Sequence, residues 1–284
     1  MSESSPIPLR VAIVTGANTG IGKVTARELA AAGYTVFLAC RNEAKAEAAM
    51  ADIRAAVPQA SVEFLSLDLA SFASVRAAAA AFLDRGLPLQ VLVNNAGLVT
   101  GAASATEDGF EMTFGVNHLG HFLLTTLLLD RLRESAPARV VHVASRAHRR
   151  CKGVDWDALT RPCATTTGFH EYTVSKLANV WFSSELARRT EGSGVTSYAV
   201  HPGVVATDIW RRIPGPLRWF AKLFMIDEED GARTSLHCAL SDEAGSENGL
   251  YYSDSAVLPA SPMGRDAESA AELWRRSEEW VAPA

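Results

Sequence analysis

A chain of 284 residues, 48% of them hydrophobic, has ample material for a core, and a net charge of −5 excludes the strongly basic balance a nucleic-acid partner asks for. Four cysteines (Cys40, Cys151, Cys163, Cys238) form neither a C-x-x-C pair nor a disulfide framework, as expected for a reducing compartment. Residues 1–8 are polar with two prolines, and no stretch supplies ~18 uninterrupted apolar residues, so a soluble, cytoplasmic protein with no transmembrane segment is expected.

In chain order, a β-branched apolar strand is predicted over 9–14, followed by Thr15-Gly16-Ala17-Asn18-Thr19-Gly20-Ile21-Gly22 and a helix over 21–32 ended by Gly33. Strand, glycine turn and helix are the context in which a dinucleotide's pyrophosphate meets free N–H groups. The spacing G-x-x-x-G-x-G fits the larger two-domain dehydrogenases less well, and a tight turn that merely needs glycine remains an alternative. The second strand, 34–39, ends near Arg41, with no acid at 39–42. An acid there would bind both ribose hydroxyls and repel a 2′-phosphate, whereas Arg41 can pair with one, so NADP(H) is inferred. Lys23 is a candidate second positive charge.

A helix over 43–56, a strand over 62–66 and a helix over 71–84 follow, with Asp68 between the last two as a possible cap. The strand at 89–93 ends in Asn94-Asn95-Ala96-Gly97, small polar residues that can line the crevice beyond a sheet's carboxyl edge. The helix predicted over 110–134 carries Asn117, His118 and His121. The two histidines sit i, i+3, yet no carboxylate or thiol pattern joins them, so no metal site is expected. Its apolar run 122–129 suits either a core or a subunit interface. The strand over 138–144 ends at Ser145, whose hydroxyl could face a substrate or simply cap a turn.

After a loop from Arg146 to His170, a helix over 171–190 places Tyr172 and Lys176 one turn apart on one face. A lysine cation beside a phenol favours the phenolate, so the Tyr172 pKa is expected to fall from its usual value near ~10. The strand 194–200 leads to Pro202-Gly203. Residues 208–227, with Trp210, Trp219, Phe220, Phe224 and four basic side chains, read as an apolar lid that could also touch a membrane surface. A helix over 228–241, a strand over 249–253 and a helix over 266–281 with Trp274 and Trp280 complete the chain. The alternation predicts an α/β fold: one doubly wound, mostly parallel, seven-stranded sheet with helices on both faces, forming a single domain over 1–284.

Thr15-Gly16-x-x-x-Gly20-x-Gly22, Asp68, Asn94-Asn95-Ala96-Gly97, Asn117, Ser145, Tyr172-x-x-x-Lys176 and Pro202-Gly203, in this order, resemble the short-chain dehydrogenase/reductase superfamily over nearly the whole chain. Gly115-Val116-Asn117-His118-Leu119-Gly120-His121-Phe122 and Lys176-Leu177-Ala178-Asn179-Val180 make it most similar to the retinol dehydrogenase and retinal reductase group. The polar N-terminus departs from the many animal retinol dehydrogenases that begin with a hydrophobic anchor. The resemblance implies a Rossmann-type fold and hydride transfer between NADP(H) and a carbonyl or alcohol carbon, with Asn117, Ser145, Tyr172 and Lys176 catalytic. Ser145 and Tyr172 would hold the substrate oxygen, Lys176 would support Tyr172 and bind the nicotinamide ribose, and Asn117 would hold a water joining Lys176 to solvent.

Cofactor contacts are expected from Gly16, Asn18, Thr19, Gly20, Ile21, Gly22, Arg41, Asp68, Leu69, Asn94, Ala96, Gly97, Tyr172, Lys176, Pro202, Gly203, Val205 and Thr207. The lid and the 146–170 loop suit a large lipophilic substrate; retinoids, lipid aldehydes, steroids and aromatic ketones fit equally. An epimerase or dehydratase on the same scaffold, or a nucleotide sensor without turnover, are the alternatives. As to assembly, a monomer or a homodimer is expected.

Overall fold

The computed structural model describes residues 9–101, 103–162, 167–203 and 227–283. Its sheet is built on β1 (Val11–Thr15), five residues all buried, because a parallel strand covered on both faces has no solvated side. β2 (Thr35–Cys40) and β3 (Ser61–Ser66) pair outward from one side of β1. From the other side run β4 (Val91–Asn94), β5 (Ala138–Val143), β6 (Val195–His201) and β7 (Leu250–Ser253), all parallel. The order β3-β2-β1-β4-β5-β6-β7 reverses direction between β1 and β4. That reversal opens the crevice in which doubly wound sheets bind ligands.

Among the described residues the sheet has eight strands rather than the expected seven. β8 (Ala256–Val257) returns antiparallel to β7 through Asp254 and Ser255, both at positive φ (54° and 58°). Two residues are too few to show alternation, and the turn lacks the Asn-Gly or Asp-Gly that marks such hairpins in sequence.

One face of the sheet is covered by α1 (Gly20–Ala31), α2 (Glu43–Ala56) and a later helix (Glu228–Leu240). The other carries α3 (Phe72–Leu83), α4 (Met112–Glu134), α5 (Phe169–Arg189) and the C-terminal Ala267–Val281. We number the Glu228–Leu240 and Ala267–Val281 helices α6 and α7. Local capping fixes several starts: Asn42 Oδ1 accepts from Lys45 N at 2.9 Å before α2, and Asp227 Oδ1 from Asp230 N at 2.7 Å before α6. α4 is long and apolar enough to cross a membrane, but 78% of its most apolar stretch is buried inside the fold, which makes it a core helix.

α4 is not regular. Residues Gly115–Leu119 form a π-helical turn, and this is the segment that carries Asn117. Behind α4 and α5 lies α7, whose Trp274 packs on Phe122 (4.9 Å between centroids) and Phe182 (5.8 Å). Trp280 covers Phe110 and Phe114, each at 5.9 Å. The chain's own last helix therefore buries the Phe122 end of the apolar run 122–129, where a second subunit had been one expectation.

Candidate active site

Three elements deliver four chemistry-bearing side chains to the carboxyl edge of the central strands. Tyr172 and Lys176 lie on α5, Ser145 follows β5, and Asn117 sits in the π turn of α4. The Lys176 ammonium is buried and donates to Val143 O at 2.7 Å, while Asn179 Nδ2 donates to the same carbonyl at 3.2 Å. Burial lowers the Lys176 pKa to about 8, so most of it still carries a proton at neutral pH.

Ser145 is extended (φ −166°, ψ 155°), its hydroxyl accepting from Ala147 N at 3.1 Å. The hydroxyl also bears on the Tyr172 phenol and favours the phenolate. Burial nonetheless has the larger effect and raises the Tyr172 pKa above its ordinary value. This reverses the expected electrostatic consequence of the Tyr-Lys spacing. The lysine nitrogen stands 5.7 Å from the phenol ring's centroid and is aimed at Val143 O, so desolvation of the phenol wins over attraction to the ammonium.

Asn117 uses its side chain as a clasp. Oδ1 accepts from Leu98 N at 2.8 Å, and Nδ2 donates to Leu98 O and Ser175 Oγ, both at 3.0 Å. This binds the segment after β4 to α4 and to the helix bearing Tyr172. The Asn117 carbonyl, displaced by the π turn, accepts from His121 Nδ1 at 3.0 Å. His121 Nε2 lies 2.8 Å from Thr15 Oγ1, which itself accepts from Asn95 N and Ala96 N at 2.9 Å each. Both Thr15 acceptor sites being taken, His121 Nε2 has none to donate to, while Nδ1 faces a carbonyl that can only accept, so the imidazole is neutral with its proton on Nδ1. Desolvation lowers its pKa to about 4, in keeping with that state.

Beside these groups lies a cradle shaped for a dinucleotide. Gly16 turns at φ +65°, and a Cβ at Gly22 would stand 2.4 Å from Asn95 Nδ2 and 2.6 Å from Gly16 O, so backbone closes on backbone there. Thr19 precedes α1 in extended conformation with no side-chain cap, and the first turn of α1 holds no acid. The leading N–H groups of the helix are left to an anion. A Cβ at Gly97 would lie 3.5 Å from Lys176 Nζ and 3.5 Å from Asn117 Oδ1, which places the cradle's end against the Asn117 and Lys176 side chains. Asn18 and Gly20 lie along the same turn, Ala96 after β4 packs against it (a Cβ at Gly16 would stand 3.0 Å from the Ala96 Cβ), and Pro202 and Gly203 (φ +90°) follow β6. A pyrophosphate and a nicotinamide ribose fit this donor set.

At the other end, Arg41 is three-quarters exposed beyond β2, with Nη1 3.7 Å from Asp68 Oδ2. Several of the expected contact residues direct their side chains elsewhere, which leaves only their backbone groups for a cofactor. Lys23 forms an ion pair with Asp52 of α2, which commits its charge away from Arg41. Asn94 turns its side chain inward, its Nδ2 donating to Thr125 Oγ1 at 2.9 Å and lying 3.2 Å from His142 Nδ1. Only its backbone reaches the crevice edge. Ile21 packs with Val24 and Ala232, and Leu69 is a core side chain. Val205, Thr207 and the lid as far as residue 226 lie outside the described residues, as does Cys163.

The described part of the loop after Ser145, as far as residue 162, packs in part on the core. Trp156 stacks on Trp181 at 6.4 Å, and Leu159 is buried. His118 and His121 share no partner: His118 Nε2 is 3.0 Å from Ser277 Oγ. A groove lined by Val180, Ala199, Tyr251, Leu258 and Ala270 contains none of Asn117, Ser145, Tyr172 or Lys176.

The short chain dehydrogenase family model matches residues 10–155. Retinol dehydrogenase 12 of Mus musculus is 47% identical over 276 residues, covering 95% of this chain and 86% of the mouse protein. Among solved structures, an uncharacterized protein from Mycobacterium paratuberculosis superposes with a TM-score of 0.78 at 36% identity, covering 96% and 94% of the two chains. The RhlG/NADP active-site complex of Pseudomonas aeruginosa matches with a TM-score of 0.69 at 26% identity over 87% and 95%.

Proposed function

The chain belongs to the short-chain dehydrogenase/reductase family, as an oxidoreductase of its retinol dehydrogenase-like group, and from that premise we propose that it uses NADP(H) to reduce a lipophilic aldehyde or ketone, or to oxidise the corresponding alcohol. The observation that carries this reading is the meeting of Ser145, Tyr172, Lys176 and Asn117 at the end of a glycine cradle. When bound, the nicotinamide supplies or accepts the hydride.

The chain's residues handle the oxygen and the proton. Ser145 and Tyr172 both hydrogen-bond the substrate oxygen and polarise its carbonyl. Tyr172, kept as a phenol by burial, gives its proton to that oxygen as hydride reaches carbon. Lys176, fixed on Val143 O, keeps two further N–H donors for the nicotinamide ribose and the phenolate left behind. Asn117 holds the Gly97–Leu98 segment against both helices, so the cradle and the catalytic side chains move as one body.

Retinal-like substrates are favoured by the likeness to retinol dehydrogenase 12, although the lid's chemistry admits other lipophilic carbonyls. The test is NADPH consumption, followed by absorbance, with retinal, decanal and a steroid ketone. Net consumption with any of them supports the reading. NADPH binding with no turnover would leave a nucleotide sensor, and isomerised or dehydrated product without net consumption an epimerase or dehydratase.

Arg41 carries the cofactor preference. Its guanidinium stands exposed beyond β2, where a 2′-phosphate can pair with it, and the nearby Asp68 carboxylate holds it there. Arg41→Asp is expected to raise the NADPH dissociation constant by about 10- to 100-fold, the worth of a charge-assisted contact of about 1.5–3 kcal/mol. NADH binding should hold or improve. Equal weakening of both cofactors, measured by nicotinamide fluorescence, would remove Arg41 from this role.

A further inference from the structure

Three residues past Ser145, a second buried histidine has both ring nitrogens engaged by backbone groups. His148 is fully buried, with Nδ1 2.7 Å from Ser145 O and Nε2 accepting from Ser261 N at 3.1 Å. A carbonyl can only accept and a backbone N–H can only donate. The ring is therefore neutral, with its proton on Nδ1. Charging it would set an Nε2–H against the Ser261 N–H, and burial accordingly lowers its pKa.

These contacts close a circuit. The Ser145 carbonyl is held twice by one residue, through His148 N at 3.1 Å and through the ring. Ser261 belongs to the segment whose Met263 carbonyl accepts from Trp181 Nε1 at 2.7 Å. Trp181 lies on α5, the helix that carries Tyr172. Serine, histidine, the 261–263 segment and the tyrosine's helix thus constrain one another. The ring itself is wedged edge-on against Tyr251, at 4.9 Å between centroids.

We propose that His148 is a positioning residue: its Nδ1–H fixes the Ser145 carbonyl, and through it the place of the Ser145 hydroxyl against the Tyr172 phenol. This rests on the carbonyl-reductase reading above. Two substitutions separate positioning from packing. His148→Asn keeps an N–H near the Nδ1 position and gives up Ser261, whereas His148→Gln places its amide oxygen near Nε2 and gives up the ring's hold on Ser145.

Both variants should melt earlier than wild type. Assayed below each melting temperature with NADPH and a saturating aldehyde, His148→Gln is expected to lose about 10- to 100-fold in kcat with the NADPH dissociation constant unchanged, and His148→Asn to restore kcat to within roughly threefold of wild type. Equal losses in the two variants, or no loss in either, would overturn the proposal. If wild type turns over no substrate, the reductase reading falls separately. Long-range proton–nitrogen spectra of histidine-labelled wild type then still decide the ring's state: an Nε2–H tautomer or a charged His148 ring at neutral pH overturns the assignment, and an Nδ1–H tautomer supports it.

Discussion

Tyr172→Phe should reduce turnover by about 10²- to 10⁴-fold, the usual scale for losing a positioned proton donor, while the NADPH dissociation constant stays within a few-fold. The substitution removes one hydroxyl and keeps the ring, so the contacts of α5 survive. Because burial raises the Tyr172 pKa, the wild-type residue is a protonated donor at neutral pH. Reduction should then be flat with pH through the neutral range. Alcohol oxidation, which needs the phenolate, should accelerate as pH rises. Steady-state kinetics in both directions check this, and a phenylalanine variant near wild-type rates would remove Tyr172 from the chemistry.

That pH signature differs from the one the sequence invites. Tyr172 and Lys176 at i, i+4 are legible as neighbours, and the structure puts them on one face of α5. What spacing cannot show is how deeply each group is desolvated, or that Val143 O engages the ammonium. The fold itself was readable because each buried strand is a short apolar run between turn residues. Asn94 shows a signal that was present and unused. Strand alternation that points Leu92 toward α3 and α4 points Asn94 the same way, and its amide is accordingly internal. The Lys23–Asp52 pair depends on how α1 packs beside α2, which no local pattern reports. His148 resembles any loop histidine until Ser261, 113 positions later, is brought against its ring.

The histidines also make the protein sensitive to acid, and the largest stability effect expected here is a collapse below pH ~6. Desolvation lowers the pKa of His118 to about 3 and of His121 and His201 to about 4, and takes that of His142 well below its usual value. In the folded chain these four are neutral; unfolded, each titrates near ~6.5. Between those values the unfolded chain binds more protons, so stability is complete above pH ~6.5 and is lost as pH falls. Four protons correspond to a slope of about 5 kcal/mol per pH unit once the unfolded histidines are charged. A domain stable by about 5–15 kcal/mol would unfold one to three units below that point. Burial also lowers the His148 pKa, which adds to the trend, and raises the Glu111 pKa, which opposes it with a single proton.

Melting temperatures by circular dichroism should thus plateau from pH 7 to 8 and fall steeply below ~6. A melting temperature unchanged down to pH ~5 would contradict neutral burial of these rings. His118→Phe isolates one contribution, since His118 already lies among Phe114, Phe122 and Phe182 at 5.1–6.0 Å. The variant gives up the contact with Ser277 and should be less stable at pH ~7.5, yet its acid slope should be shallower by roughly one proton in four. A slope equal to wild type would mean that some other group drives the transition.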